Sequence, residues 1–285
     1  MITFEKDNTA ILSLEQLKST VHENDCQGKP IMGMHHYEMF ERAADILTAR
    51  NIKFEIEPIT IIQNANKSRP GATLVESLAV EHGNNSERAH ILRRLFGKIN
   101  LLDYRNDEVN RIMAFIYTQE GLQIAIGSNV RICSNLTIFG AENLISTYAS
   151  LNQRVGFEKL FDVVPSWIDN LELGFQKDLN TIEQFKDTYV GLNDLEELIG
   201  TLTLERIRRD VYKGRAPIAL NQGQISQFAQ EMVPLFEKND YHVPLWQVYN
   251  SGTFLQKAGK NDIPILFENN ITWGDVLIRE FLNKN

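Results

Sequence analysis

Several residues in this 285-residue chain have side chains suited to a functional site. His35-His36, with Glu38 close by, offers imidazole and carboxylate ligands for a metal ion. Adjacent helical positions point in different directions, and a metal centre usually takes three or four ligands. No His-Glu-x-x-His pattern accompanies the pair, so a helix start or a surface role explains it. His22, His82, His90 and His242 are isolated, with no evident triad partner. Cys133 beside Ser134 has the type of a nucleophile. A reactive thiol needs its pKa lowered by a nearby His or a helix N-terminus, whereas Cys133 sits in an apolar run and reads as a small buried filler. Gly127-Ser128-Asn129 resembles a phosphate-cradling turn but lacks both glycine-rich nucleotide patterns, and a hairpin turn accounts for it. The paired carboxylates Glu196-Glu197 and Asp107-Glu108 read as surface charge. No residue is nominated as catalytic, and neither a metal nor a cofactor is expected.

Positive charge is the remaining candidate chemistry. Arg206, Arg208, Arg209, Lys213 and Arg215 form the densest basic run, and Arg88, Arg93, Arg94 and Lys98 a second. Such side chains supply backbone contacts to nucleic acid. The interleaved Glu205 and Asp210 favour a solvated helix face with intrahelical ion pairs. Neither cluster has interleaved aromatics for base stacking. Arg94 and Lys98 are expected four residues apart on one helix.

The wider composition sets limits. At 43% apolar and 23% charged, the chain is globular in type. The net charge of −8 opposes non-specific attraction to polyanions over the whole surface. That charge is uneven: residues 1–140 carry 15 Lys+Arg against 17 Asp+Glu, and residues 141–285 carry 14 against 20. Cys26 and Cys133 show no paired spacing and read as reduced thiols of a cytoplasmic protein. The first ten residues do not form a signal peptide, and no run is long enough for a membrane span.

These residues need elements to position them. Ser13-Leu14-Glu15-Gln16 fits a capping box. Phe40, Ala43, Ala44 and Leu47 predict a helix over His36–Arg50, ended by Asn51. Ile52–Glu57 alternates as a half-buried strand, with Pro58 at its end. Residues 64–71 and 82–86 read as loops, and Ser86 caps a helix running to Phe96. Ile112–Tyr117, Leu122–Ile126 and Val130–Phe139 read as strands joined by turns at Gly121 and Gly127-Ser128-Asn129. Ala141–Ser150 reads as helix. Cys133, Leu136, Ile138, Trp246 and Tyr249 are expected to be buried.

From Phe157 the chain reads as nearly all helix. Pro165 is placed at the start of one bearing a stripe from Trp167 to Tyr189. Further helices are predicted over Leu192–Gly200, Leu202–Lys213, Ile225–Lys238, Leu245–Lys257 and Trp273–Leu282. The fold class is α+β: an antiparallel sheet with hairpins in the first half, packed against a mostly helical second half. A soft boundary near residue 150 separates 1–150 from 151–285, or the two form one domain.

Two segments carry a resemblance. VRICSNLTIFGAENLI resembles the Val-Cys-x-Asn-Leu region of uncharacterised phage/plasmid-like proteins of phages and Bacteroidetes mobile elements. PLWQVYNSGTFLQKAGKNDIPILFENNITWGDVLIREF is similar to their C-terminal helical segment, through Leu245, Trp246, Tyr249 and Asn250. The resemblance covers about half the chain. It implies a mobile-element accessory protein and carries over no catalytic residue. Asn135 and Asn250 look structural, as polar groups that need hydrogen-bond partners.

The resulting expectation is a non-enzymatic accessory protein that binds nucleic acid or a host protein in the host cytoplasm, without a membrane, and with self-association left open. Single-strand binding or annealing is the first form, by fold-level analogy with single-strand annealing proteins. An inhibitor of a host defence system is the second, since an acidic second half suits a basic partner. An enzyme lacking a recognisable motif is the third. A basic groove would favour the first, an acidic or apolar patch the second, and a deep polar pocket the third.

Overall fold

A computed structural model describes residues 9–19, 34–62, 94–118, 121–130, 138–148, 153–211, 218–258 and 263–283. The fold is α+β, with an antiparallel sheet in the first half and a mostly helical second half. The chain divides into two compact units. The first comprises Met1–Arg105, Arg111–Ile126 and Asn143–Leu171, and the second comprises Asn106–Asn110, Gly127–Glu142 and Glu172–Asn285.

In the first unit, β1 (Thr9–Leu12) leads into the short helix α1 (Leu14–Lys18). The anticipated capping box is present: Gln16 N donates to Ser13 Oγ at 3.2 Å, and Ser13 N to Gln16 Oε1 at 2.8 Å. Helix α2 (His36–Ala49) buries Met39, Phe40, Ala43 and Leu47 on one face. It ends where the sequence predicts. Asn51 adopts φ 57°, and Ile52 N reaches back to Leu47 O while Asn51 N reaches Thr48 O. That is a Schellman closure, with Asn accepting the left-handed position.

The sheet follows. Strands β2 (Phe54–Ile56) and β3 (Ile59–Ile62) both pair antiparallel with the long β4 (Arg94–Arg105), with Phe54 opposite Leu101 and Thr60 opposite Phe96. β1 pairs with β3 on its other side. Glu57, beside Pro58, fixes the step between β2 and β3. Its carboxylate takes a 2.7 Å bond from Asn100 Nδ2 and an ion pair from Lys98 Nζ at 2.9 Å. Next come β5 (Val109–Thr118), β6 (Gly121–Val130) and β7 (Ile138–Tyr148), and the sheet order is β1-β3-β4-β5-β6-β7. Asn106 makes the β4–β5 turn, its Oδ1 accepting from Glu108 N and Val109 N.

Alternation builds the first unit's core. Met113, Phe115 and Tyr117 on β5 and Leu122, Ile124 and Ile126 on β6 join Phe40 and Leu47 of α2. Gly97 is required for this packing, because a Cβ there would lie 2.5 Å from Phe40 Cζ. Helix α3 (Gln153–Asp169) adds Leu160, Phe161, Val164 and Ile168.

Several sequence expectations are corrected here. The helix predicted from Ser86 lies mainly outside the described residues, and its described end, Arg94–Phe96, belongs to β4. Leu95, Phe96, Ile99 and Leu101 are all buried, and the apolar residues at 91, 92, 95, 96 and 99 have helical spacing in the sequence, yet pairing with β2 and β3 makes this segment a strand. Gly127-Ser128-Asn129 is not a turn, because β6 runs through it. Ala141–Ser150 is not helical: β7 starts at Ile138 and passes through Gly140 to Tyr148. Its Ile145-Ser146-Thr147-Tyr148 end has strand propensity, and β6 offers the ladder. Pro165 does not start a helix but lies inside α3. The buried contacts of Leu160, Val164 and Ile168 offset the roughly 3 kcal/mol cost of an interior proline. Cys133 and Leu136 lie outside the described residues, as do the side chain of Ile138 and the loops at 64–71 and 82–86.

The second unit carries helix α4 (Leu171–Asp187, from Glu172 on), β8 (Tyr189–Gly191), α5 (Leu192–Val211), α6 (Gln222–Lys238), β9 (His242–Pro244), α7 (Leu245–Ala258) and α8 (Ile263–Leu277), which continues into a π-helical turn, Ile278–Leu282. β8 and β9 form an antiparallel pair. Helix α5 packs on α6, α6 on α7, and α7 on α8. Trp273, Phe228, Phe236, Phe185 and Tyr249 are fully buried in this unit. The stripe predicted from Trp167 is split at Asn170, and Tyr189 is exposed in β8. The two helices predicted over 192–213 are one, since Gly200 does not interrupt α5. Trp246 is only half-buried and stacks on Tyr249, which is buried as expected. No helix among the described residues is long and apolar enough to cross a membrane.

Candidate interaction surface on helix α5

The nominated cations occupy different settings. Arg94 and Lys98 lie on β4 in the first unit, so they are not helical neighbours. The Lys98 ammonium is held by Glu57. Arg206, Arg208 and Arg209 end α5 in the second unit. Arg206 pairs with Asp210 at 3.3 Å and donates to Gln222 Oε1 at 3.0 Å. Arg208 and Arg209 sit in the last turn, where positive charge offsets the negative end of the helix dipole. Arg88, Arg93, Lys213 and Arg215 lie outside the described residues.

The other sequence candidates have structural surroundings. His35 is the N-cap of α2 and stacks on Tyr37, while His36 packs against Tyr117 at 4.4 Å between ring centres. Ser128 is fully buried, and its hydroxyl donates to Asp178 at 2.5 Å. Glu108 accepts an ion pair from Lys186, which also contacts Glu183. The hydrogen bonds that the Lys186 ammonium donates to these two carboxylates, Glu108 first, raise its pKa. Glu196 and Glu197 are exposed on α5. Cys133-Ser134 lies outside the described residues.

Helix α5 also carries a feature that the sequence reading missed. Its inner face buries Leu195, Leu198 and Leu202. Leu204, Ile207 and Val211, spaced i, i+3, i+7, are 54%, 50% and 67% exposed. At about 100° per residue, these three fall within about 60° of arc, roughly opposite the buried leucines. Arg208 borders them, about 40° from Leu204. The carboxylates nearby are engaged, Glu205 with Arg279 at 2.8 Å and Asp210 with Arg206. Among the described residues, neither Arg208 nor Arg209 has a carboxylate partner. The spacing was visible in LTLERIRRDV, but treating Gly200-Thr201 as a break hid that one helix carries two apolar stripes.

No family model, curated protein or solved structure matches the chain.

Proposed function

We propose that this is a non-enzymatic accessory protein of a phage or mobile element, working in the host cytoplasm, whose ligand is another protein rather than nucleic acid. The outward stripe of α5 carries the choice. Nine large hydrophobic side chains are exposed among the described residues, and three of them, Leu204, Ile207 and Val211, share one face of one helix. Isolated exposed apolar residues are ordinary, but an aligned set is the usual mark of a protein contact. The mobile-element setting rests on the resemblance of the Val130–Ile145 and Pro244–Phe281 segments. The net charge of −8 and the ion pairs on Lys98 and Arg206 weigh against a polyanion ligand.

Titration with single- and double-stranded DNA at low salt, beside a pull-down from host lysate with and without nuclease, tests the reading. The expected result is no saturable DNA binding and a protein partner retained after nuclease treatment. Saturable DNA binding whose affinity falls steeply with salt would replace it with the nucleic-acid reading.

A further inference from the structure

We draw no further inference here: the strongest candidate, the exposed apolar face of α5 formed by Leu204, Ile207 and Val211, belongs to the surface already described, and nothing in the structure shows what kind of partner covers it.

Discussion

Trp273 is the largest fully buried side chain among the described residues. It meets Phe228 edge-on and donates Nε1–H to Tyr249 O at 3.0 Å. Trp273→Ala should therefore cost about 3–5 kcal/mol in urea unfolding. Trp246→Ala should cost less, because that ring is only half-buried. Gly252 lies against Trp273, where an added Cβ would come within 2.3 Å of Cε2. Gly252→Ala should destabilise by about 1–3 kcal/mol. Asn270 is 1% exposed, and neither amide atom has a hydrogen-bond partner among the described residues. Asn270→Leu should leave stability unchanged or raise it by about 1–3 kcal/mol, and a clear loss would mean that the amide is bonded. Lys186 gives a pH test. Its pKa is raised by Glu108 and Glu183, so its contribution is complete below the ordinary lysine value of 10.5 and is lost as the pH rises through the raised value. Lys186→Met should therefore reduce stability at neutral pH and remove that alkaline loss.

Residue roles were legible where the partner is local. The Ser13 capping box closes three residues on, and Asn51 needs only its own backbone conformation. Asn221 with Gln224 forms a second box of the same kind, which starts α6 at Gln222 rather than Ile225. The Ser128–Asp178 bond joins positions fifty apart, and nothing near Ser128 announces it.

At the scale of elements, a helix with one apolar stripe and a short apolar run beside a turn were readable, as α2 and β5 show. Readings failed where tertiary pairing outweighs local pattern. The apolar residues at 91, 92, 95, 96 and 99 have helical spacing, yet pairing with β2 and β3 makes 94–105 a strand. β7 continues through Gly140 because a neighbouring strand supplies its hydrogen bonds. Gly200 misled in the same way. It is a helix breaker by composition, yet the buried leucines on both sides of it carry α5 straight through. Gly200→Ala should accordingly stabilise the protein by about 0.5–1 kcal/mol, whereas a glycine ending one helix before another would lose stability on that change.

At the scale of the whole molecule, charge and exposed apolar surface point in one direction. The net charge of −8 disfavours a polyanion, two of the nominated cations are ion-paired, and three exposed apolar side chains line one face of α5. Composition showed the charge but not the stripe, because exposure depends on which face of α5 the rest of the unit covers. The most direct test is the amount of partner retained after nuclease treatment by wild type and by Ile207→Asp, each pulled from the same host lysate. A protein ligand held by α5 predicts a protein retained by wild type and strongly depleted with Ile207→Asp, the two proteins having equal melting temperatures. Loss of all captured material from wild type on nuclease treatment would contradict it.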